Sequence, residues 1–593
     1  MALHLHFPPL RFSVTHDLAK QNPQQAFHGG RMARYVPCMA STTTDQPTVD
    51  NRRNANYQPS IWTHDFMESL KNDYADEIYK GRVTLLEKEV RNMIEDENAG
   101  QLEMLELIDD IQRLGLGYHF KKDIRRALDK LVSLEGSNGR TPMSLHGTAL
   151  RFRLLRQHGY EVSEDVFKSF MDPEGNFMAS ISEDIKGMLS LYEASYLAFE
   201  GESLMDEALA FTTKHLKDHK GNISNSLAEL VSHALEIPLH HRTKGLEARW
   251  YIEAYNKREG ANDTVLELAK LNFNFVQSTL QRDIGDMSRW WKGVGLANEL
   301  NFARDRLMEC FFWTVGMVFE PEFSNCRKGL TKVTALITVI DDIYDVYGSV
   351  DELELFTDAV ERWDVNAVKS LPDYMKLCYL ALYNSVNEMG YDALKDKGEN
   401  AIPYLTKAWA DLCKAFFLEA KWTHGKQIPT FEDYLNNAWV SVSAVAILTH
   451  AYFAVTENIT KEALEGLEKY HDLLRWPSMI YRLCNDLGTS AAELERGELA
   501  SSIVCYMHET GLSEEHARKH INGLVDSSWK KLNRYLVDDS QLGKPFVAAA
   551  FNLARITQFT YQDGDGLGTP DVTKNRVRSL IVEPIPLNPV TIV

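Results

Sequence analysis

Apolar side chains recur at helical spacing along almost the whole chain beyond residue 60, and this periodicity limits the possible folds more than any other feature. Leu105, Ile108 and Ile111 follow one another at three-residue intervals, and residues 189–199 carry a second apolar stripe. Runs of alternating β-branched residues, which would indicate half-buried strands, are rare, and we see no short repeat of solenoid length. The sequence therefore predicts a globular, all-α fold.

Polar loops rich in glycine, asparagine and aspartate divide this helical region. They lie at residues 135–139, 172–176 and 259–263, where such residues favour turns over helix. We expect the third loop to separate two helical domains. The predicted division is a leader at 1–51, an N-terminal helical domain at 52–262 and a larger C-terminal domain at 263–593.

The charge balance narrows the classes of ligand. The chain has 64 Lys and Arg against 84 Asp and Glu, a formal net charge of −20, which would repel a nucleic-acid backbone over most of the surface. We therefore expect no nucleic-acid partner, and an anionic ligand would need bound cations or a few placed arginines. The seven cysteines include no C-x-x-C pair, which argues against a zinc knuckle or a disulfide framework and suits a reducing compartment.

The first 44 residues have a different composition from the rest of the chain. They contain one acidic residue, Asp17, four basic residues and a hydroxyl-rich cluster at 41–44, without a helical apolar period. A basic, hydroxyl-bearing and acid-poor leader is typical of an organelle transit peptide. We expect a plastid address and a mature protein in the stroma, with a disordered tail that carries no address as the alternative.

The longest uncharged run extends from Asn436 to Thr456 and reaches the length of a membrane span. Polar residues interrupt it at several positions, among them Ser441, Thr449 and His450. Because a spanning helix would need a more continuous apolar surface, we expect a buried helix here and no membrane span.

An apolar helix is predicted to end in carboxylates at the stretch Ile-Asp-Asp-Ile-Tyr-Asp, residues 340–345. Asp341 and Asp345 are four residues apart, so a helix would place both on one face, about 6 Å apart. Such carboxylates repel each other unless a cation lies between them, and Mg²⁺ prefers oxygen ligands and often bridges carboxylate to phosphate. A solvated helix end is the alternative. The same opening recurs at Asp109 and Asp110, where Arg113 replaces the third aspartate, and there we expect surface charge.

A second set of oxygen ligands follows downstream in the stretch 485–493. Asn485, Thr489 and Glu493 fall at i, i+4 and i+8, which is one stripe along a helix. Amide, hydroxyl and carboxylate oxygens suit an octahedral Mg²⁺ site that water and phosphate complete. The two stripes together form a far more specific signal than either alone.

Arginines near both stripes could bind an anion. Arg304 precedes Asp341 by about the length of two helices, and Arg482 lies one turn before Asn485. Guanidinium groups bind phosphate oxygens through two hydrogen bonds and keep their charge at any working pH. For Arg306, an ordinary salt bridge with Asp305 or Glu309 is the alternative to phosphate binding.

These motifs resemble those of the class I terpene synthases. The stretches DDIYD and NDLGTSAAE with RDR upstream carry the likeness, and Arg52-Arg53 followed by Trp62 is similar to the tandem-arginine motif of plant monoterpene synthases. Within that family, the stretches LYEASYLAFEGE and FTDAVERWDVNA look most like the branch with isoprene, β-ocimene and related acyclic products. The resemblance implies an isoprenoid-synthase-type helical bundle at the C-terminus and a catalytically relic α-barrel domain at the N-terminus.

The resemblance also implies roles for individual residues around a cluster of three Mg²⁺ or Mn²⁺ ions. It implies that Asp341 and Asp345 bind two ions and that Asn485, Thr489 and Glu493 bind the third. Arg304 and Arg482 would hold the diphosphate, Arg52 and Arg53, with Trp62, would close the N-terminal segment over the pocket, and Trp313 would face the carbocation. A simple core position is the alternative for Trp313.

The sequence departs from the family pattern at three positions. Ser501 stands where many relatives have a lysine that contacts diphosphate, so that contact is not expected here. Isoprene synthases resemble one another in carrying phenylalanines at the positions of Thr334 and Tyr481, where the rings shorten the pocket to five carbons. Because threonine is smaller than phenylalanine, a ten-carbon substrate is expected to fit better and isoprene is not expected as the main product.

The predicted activity is therefore the ionisation of geranyl diphosphate to an acyclic monoterpene, with β-ocimene or myrcene ahead of linalool. Synthesis of α-farnesene from farnesyl diphosphate is an alternative that the transit-like leader disfavours. A prenyl-chain elongating enzyme would show two aspartate-rich motifs, and a non-enzymatic helical scaffold should have lost at least one of the five ligands. We expect a monomer whose only partner is its prenyl diphosphate substrate.

Overall fold

Helices account for nearly all of the regular structure. The computed structural model describes residues 55–72, 74, 77–138, 143–218, 223–496 and 500–587, which belong to one compact unit. In these ranges the β structure consists of an isolated antiparallel bridge between Met171 and Phe177, and the rest is α-helix, short 3₁₀ and π segments, and loops. The all-α prediction is confirmed.

The helices of the N-terminal half are α1 (His64–Ser69), α2 (Glu77–Ile94), α3 (Gln101–Arg113), α4 (Lys121–Asn138), α5 (Leu145–Gln157), α6 (Ile185–Ser195), α7 (Ser203–Asp218), α8 (Asn225–Glu236) and α9 (Lys244–Asn256). Those that follow are α10 (Asp263–Val294), α11 (Leu296–Glu299), α12 (Leu307–Met317), α13 (Ser324–Asp342), α14 (Val350–Arg362), α15 (Asp373–Lys397), α16 (Ile402–Gly425), α17 (Phe431–Ser441) and α18 (Ala444–Val455). The last are α19 (Lys461–Glu468), α20 (Asp472–Arg496), α21 (Ser502–Thr510), α22 (Glu514–Val537), α23 (Lys544–Tyr561) and α24 (Pro570–Val577).

Capping residues set many of the helix starts. The side chains of Thr63, Ser144 and Asn262 each accept a hydrogen bond from a backbone N–H in the first turn of the helix that follows. Asn262 caps α10, so this 32-residue helix begins within the third polar loop of the sequence and ends at Gly295, which adopts the left-handed conformation with φ 76°. The structure therefore has a loop and a helix start here, where the sequence predicted them.

The C-terminal half is built around α12, α13, α18, α20 and α23. Helix α13 packs on α12 and α18, and α20 packs on α18, α22 and α23. The approach of α20 to the chain after α23 is close, because a Cβ added to Gly488 would lie 2.9 Å from the carbonyl oxygen of Tyr561 and 3.2 Å from that of Gly564. This packing brings the acidic end of α13, the middle of α20 and the loop after α23 into one region.

The first Ile-Asp-Asp-Ile stretch, residues 108–111, is not surface charge, and the expectation for it is wrong. Asp110 is buried and pairs with Arg258 at 2.6 Å, while Asp109 pairs with Arg153 at 2.8 Å. Arg113 pairs instead with Glu247 at 2.8 Å. The partners of the two aspartates come from distant segments, α5 and the end of α9, which the local sequence does not reveal.

One stretch of the described residues, Phe431–Val455, is long and apolar enough to cross a membrane by length and composition. Its mean hydropathy is 1.6, and 83% of the apolar window is buried inside the fold. The stretch consists of two helices, α17 and α18, which meet at Ser443, a residue with φ 72°. Its apolar side chains are thus covered by other helices.

Two sets of predictions lie outside the described residues. The predicted transit peptide falls wholly there, as do Arg52 and Arg53 of the tandem-arginine motif. The described chain begins at residue 55, and Trp62 is buried with its ring stacked on Phe66 at a centroid distance of 5.7 Å.

Candidate functional site

The acidic motif lies where α13 ends and the backbone widens into a π turn. Helix α13 runs to Asp342, residues Ile343–Tyr347 form the π turn, and the N–H of Gly348 donates to the carbonyl of Ile343 at 2.8 Å. The regular spacing that we predicted for Asp341 and Asp345 is therefore replaced by a wider turn, a feature often found at functional sites. Both side chains are half-buried, whereas Asp342 between them is fully buried.

Arg304 bridges the first two aspartates of this motif. Its Nη2 lies 2.5 Å from Asp341 Oδ2, its Nε lies 2.9 Å from Asp342 Oδ1, and its backbone N–H donates to Asp342 Oδ2 at 2.6 Å. Burial alone would lower the pKa of Arg304, but the carboxylates of Asp342 and Asp341 outweigh burial and hold it well above its ordinary value. The predicted diphosphate-binding arginine thus contacts the predicted metal-binding aspartate directly.

The second predicted ligand set lies along one face of α20. Thr489 Oγ1 lies 2.6 Å from Glu493 Oε1 and 2.9 Å from the backbone carbonyl oxygen of Asn485, so that its single O–H can donate to either. Arg482 Nη1 donates to the Asn485 side-chain oxygen at 3.4 Å, one turn earlier on the same helix. The structure therefore brings together the amide, the hydroxyl, the carboxylate and an arginine that the sequence spacing predicted.

Arg482 is largely buried, with 12% of its side chain exposed, and it is held by hydrogen bonds to α17. It donates to Ser441 Oγ at 3.0 Å and to the carbonyl of Ala438 at 3.2 Å, and Ser441 in turn donates to Glu419 Oε1 at 2.6 Å. Burial would lower the pKa of Arg482, but Tyr434, Glu419 and Asp486 raise it well above its ordinary value. The guanidinium is therefore a permanent positive charge one turn before the ligand stripe of α20.

Asp486, the second residue of the α20 motif, lies on the inner side of the helix. Its carboxylate is fully buried and accepts the Tyr434 hydroxyl at 2.9 Å and the backbone N–H of Ser502 at 2.8 Å. Ser501 caps α21, where its side chain accepts the N–H of Val504 at 3.3 Å. These bonds tie the start of α21 to α20, which is a positional role that sequence spacing did not indicate.

Three aromatic rings, Trp313, Tyr481 and Tyr561, form a cluster between the two acidic regions, and we call it the aromatic cluster. The Trp313 ring centroid is 4.8 Å from that of Tyr481 and 6.1 Å from that of Tyr561. The ring centroids of Tyr481 and Tyr561 are 6.1 Å apart, Tyr481 and Asn485 both act on the pKa of Tyr561, and Asp341 acts electrostatically on Tyr481. Aromatic faces attract cations in a dry environment, so this cluster could stabilise positive charge.

Tyr561 was missed by the sequence analysis. It ends α23, outside the recognised metal motifs, and its contacts to Tyr481 and Asn485 cross a large sequence separation. Its position one turn before the stretch Gly564-Asp565-Gly566 was the one available signal. Because burial raises its pKa well above the ordinary tyrosine value, Tyr561 remains a neutral phenol.

Thr334 lies on α13 among small polar side chains that face α12. Its hydroxyl donates to the carbonyl of Leu330 at 3.0 Å, and one turn later Thr338 lies 3.6 Å from the sulfur of Cys310. Burial raises the pKa of Cys310 to about 12, so it remains a neutral thiol. A bulky ring at Thr334 would have to enter this packed region.

Arg306 does not make the ion pairs considered for it. It donates to the backbone carbonyls of Asp305, Gln58 and Gly568, and its side chain is buried. Arg304 and Arg306 are two residues apart but point to different partners, which the spacing of the motif did not reveal.

The oxygen-rich side chains fit Mg²⁺ or Mn²⁺ better than a softer metal. The proposed donors are carboxylate, amide and hydroxyl oxygens, which hard divalent cations prefer. Among the described residues, no three His, Cys, Asp or Glu side chains lie close enough together to hold an ion by themselves. Ions bound here would therefore complete their coordination with water and with phosphate oxygens of a ligand.

Two family descriptions match most of the chain. Residues 61–235 match "Terpene synthase, N-terminal domain", and residues 292–531 match "Terpene synthase family, metal binding domain". The second match contains the acidic end of α13 and the α20 stripe, but it ends before Tyr561. Both helical regions of the chain are thus accounted for by one family.

Curated relatives and a solved structure cover almost the same length. Tricyclene synthase TPS4 of Medicago truncatula, named as chloroplastic, is 58% identical over 92% of this chain and 94% of its own. Isoprene synthase of Populus tremuloides, also named as chloroplastic, is 54% identical over 98% of both chains. The structure of grey poplar isoprene synthase with three Mg²⁺ ions and dimethylallyl-S-thiolodiphosphate is 56% identical, covers 89% of this chain and 99% of its own, and superposes with a TM-score of 0.82.

Proposed function

This chain belongs to the terpene synthase family of enzymes, and we propose that it ionises geranyl diphosphate to an acyclic monoterpene of the β-ocimene or myrcene type, with release of diphosphate. One observation carries the proposal. Two oxygen-rich helix regions, each with a largely buried arginine, lie beside the same aromatic cluster, since Asp341 acts on the pKa of Tyr481 and Tyr481 lies one turn before Asn485 on α20. Such a site can bind a diphosphate at one end and a cation at the other.

We propose the metal ligands that the family resemblance implies. Asp341 and Asp345 would hold two Mg²⁺ ions, and Asn485, Thr489 and Glu493 would hold a third. The related isoprene synthase, whose structure contains three Mg²⁺ ions beside a substrate analogue, supports this number. Bound Mg²⁺, or Mn²⁺ in its place, neutralises charge on the diphosphate and so favours its departure.

Arg304 and Arg482 would bind the diphosphate through exchangeable contacts. In the structure Arg304 neutralises Asp341, the side chain that is assigned to a metal ion. On binding of the metal-bound substrate, that carboxylate would turn to the cation and the guanidinium would become available to phosphate oxygens. Ser441 and Ala438 already orient Arg482 toward the α20 stripe, and its contact with Asn485 would be exchanged in the same way.

The aromatic cluster would receive the allylic cation once the carbon–oxygen bond breaks. Trp313 and Tyr481 present buried rings, and the Trp313 Nε1 has no hydrogen-bond partner among the described residues, so the ring is not held by polar contacts. The cation then loses a proton, with the released diphosphate as the proposed base, to give a hydrocarbon. Capture of water before proton loss would give linalool, which is the alternative product.

The side chains at Thr334 and Tyr481 support a ten-carbon substrate over a five-carbon one. Isoprene synthases resemble one another in having phenylalanine at both positions, and a ring at 334 would occupy the space between α12 and α13. Farnesyl diphosphate and α-farnesene remain the alternative for a longer chain. We also propose a plastid location, supported by the leader composition and by relatives named as chloroplastic.

The test is product analysis by gas chromatography–mass spectrometry. The protein, beginning near Arg52, is given geranyl, farnesyl and dimethylallyl diphosphates in parallel with Mg²⁺. An acyclic ten-carbon product from geranyl diphosphate is expected. Isoprene as the main product would contradict the chain-length proposal, and a cyclic product would contradict the acyclic one.

A pair of variants tests the Thr334 argument separately. Thr334→Phe should shift the kcat/KM ratio toward dimethylallyl diphosphate by about tenfold or more, since one misfitted group costs about 1–3 kcal/mol. Thr334→Val, which matches the native side chain in size, should keep the preference for geranyl diphosphate. Equal substrate preferences in the two variants would show that the side chain at position 334 does not determine the length of the substrate.

A further inference from the structure

Arg306 contacts two chain segments near the acidic motif, residues 55–62 and residues 562–569. We propose that it is a positioning residue that ties these segments together and thereby decides how often water reaches the carbocation. The inference rests on the proposed function. It assigns Arg306 to a role in product outcome rather than in diphosphate binding.

The hydrogen bonds of Arg306 join parts of the chain that are far apart in sequence. Its Nη2 donates to the carbonyl of Gln58 at 2.7 Å and to that of Gly568 at 3.0 Å, and its Nε lies 3.3 Å from the Gly568 oxygen. Its Nη1 donates to the carbonyl of Asp305 at 2.9 Å. All three guanidinium nitrogens are therefore engaged by backbone carbonyls.

The N-terminal segment, residues 55–62, lies directly against the site. The ring of Tyr57 is 4.9 Å from the guanidinium carbon of Arg304. The charged groups that act on Tyr57 are Arg304 and the three aspartates of the motif. A displacement of Gln58, the next residue, would therefore uncover Arg304 and the acidic end of α13.

The C-terminal loop, residues 562–569, rests on the metal-binding helix. Asp565 Oδ1 accepts the N–H groups of Leu567 at 3.2 Å and of Gly568 at 2.7 Å, which gives the loop a fixed shape. The loop also approaches α20 closely, since a Cβ added to Gly488 would lie 3.2 Å from the carbonyl oxygen of Gly564. The loop is thus fixed by its own hydrogen bonds. Through its bonds to Gly568 and Gln58, Arg306 joins this fixed loop to the N-terminal segment.

Arginine suits this task because one rigid group can bond two carbonyls at once. A lysine at the same position has a single nitrogen on a flexible stem and would lose the forked geometry. Arg306 is 2% exposed, so a phosphate could reach it only after these carbonyl bonds break. Arg304, by contrast, contacts carboxylates that a metal ion can take over.

The chemical consequence is a competition between two fates of the ten-carbon cation. When the carbon–oxygen bond breaks, the diphosphate leaves with the electron pair. The cation then loses a proton to the base and becomes a hydrocarbon, or its carbon bonds to a water oxygen, which loses a proton to give an alcohol. Opening of the two segments admits water and favours the second fate.

The first experiment measures products and amide exchange for Arg306→Lys in the full chain. Loss of one net hydrogen bond should raise opening, and with it the ratio of alcohol to hydrocarbon from geranyl diphosphate, about fivefold. In the ligand-free protein, amide hydrogen exchange of residues 55–62 and 562–569 should speed up by a similar factor. The exchange readout does not depend on turnover, so failure of this inference and failure of the proposed function are distinguishable.

Arg242→Lys is the matched control. Arg242 is also buried, and it donates to the backbone carbonyls of Ile237 and His233, far from the acidic motif in sequence. This variant should lose stability without changing the product ratio or the exchange of the two segments. A similar change in both variants would show that general destabilisation, not the link, alters the products.

Gly568→Ala keeps the inference testable if Arg306→Lys does not fold. A Cβ at this position would lie 2.1 Å from the Asp565 carboxylate, so the Asp565 side chain must move and give up its bonds to the loop N–H groups, while Arg306 stays in place. The variant should show the same faster exchange and the same rise in alcohol. Unchanged exchange and an unchanged product ratio in these variants, whatever the yield, would overturn the inference.

Discussion

The chain contains the sequence Ile-Asp-Asp-Ile twice, at residues 108–111 and 340–343, and the two copies have different partners. In the first copy, Asp109 pairs with Arg153, and Asp110 pairs with Arg258 and accepts the Tyr251 hydroxyl. In the second copy, the ion pairs of Asp341 and Asp342 both go to Arg304. Two aspartates with an arginine each are neutral, whereas two that share one arginine retain negative charge.

This difference separates a structural pair from one that can bind a cation. Buried carboxylates require countercharge, and in the first copy arginines from distant segments supply it permanently. In the second copy the backbone widens into a π turn that also carries Asp345. Among the described residues, two aspartates that share one arginine distinguish the copy that we propose for the active site from the copy in which each aspartate has its own.

The largest effect is expected for Asp341→Ala. The variant should lower turnover of geranyl diphosphate by about a thousandfold, because metal-assisted stabilisation of the leaving group is among the largest catalytic contributions. The side chain is 30% exposed, so the thermal midpoint should change little. Steady-state kinetics measures the turnover and thermal unfolding measures the midpoint. Near-native turnover would show that the second copy, like the first, has only a structural role.

Arg304→Lys should have the next largest effect. Lysine keeps the charge but cannot bond Asp341 and Asp342 together or hold phosphate through two hydrogen bonds, so kcat should fall about a hundredfold. Arg258→Lys, which alters the corresponding pair of the first copy, is the control and should leave kcat unchanged. If both lysine variants kept full activity, sharing of Arg304 would not matter for the reaction.

Asp110→Asn should affect stability rather than catalysis. The substitution leaves Arg258 without its carboxylate, but that side chain is 38% exposed and can be solvated, so the loss should be about 2 kcal/mol. Differential scanning calorimetry should show a lower thermal midpoint, while kcat of the folded protein stays unchanged. A fall in kcat with an unchanged midpoint would contradict the structural role of the first copy.

The smallest effect on activity is expected at Glu193, which lies near the first copy and bears on stability alone. Burial raises the pKa of Glu193 to about 7. Arg153 and Arg113 lie near and act in the opposite direction, but they also pair with Asp109 and Glu247. Since a glutamate in the unfolded chain titrates near 4.5, the stabilising effect of the proton is complete below that pH and is lost as the pH rises through 7.

Glu193→Gln should therefore stabilise the protein at high pH and not at low pH. At pH 8 the amide removes a buried charge and should add up to about 3 kcal/mol, while it can still accept the N–H of Leu239. Thermal unfolding at pH 8 and pH 5 checks this. An equal change at both pH values would show that the carboxyl group does not titrate in this range.

Much of the site could be predicted because its parts lie on single helices. The spacing of Asn485, Thr489 and Glu493 places them on one face wherever α20 packs, and the structure keeps that face intact. The π turn after Asp342 could not be read in the same way. Apart from Asp345, the stretch 343–347 consists of apolar and aromatic residues that are also common in buried helices, and a wider turn has no distinct composition.

What the sequence did not reveal depends on contacts between remote segments. Arg306 binds the carbonyls of Gln58 and Gly568, groups that every residue type possesses, so no pattern of side chains marks them. Asp110 looked like surface charge because its partner Arg258 is 148 residues away. Tyr561 lacked a motif for the same reason. Local periodicity predicts faces, but packing decides which groups meet.

The most direct test of the difference between the two copies is calorimetric titration of the full chain with Mg²⁺ and inorganic diphosphate. The wild-type protein and Asp110→Ala should bind the metal–diphosphate pair with the same affinity, and Asp341→Ala should lose binding while retaining the native thermal midpoint. Loss of binding in Asp110→Ala alone, or equal binding in all three proteins, would contradict the assignment of the site to residues 341–345.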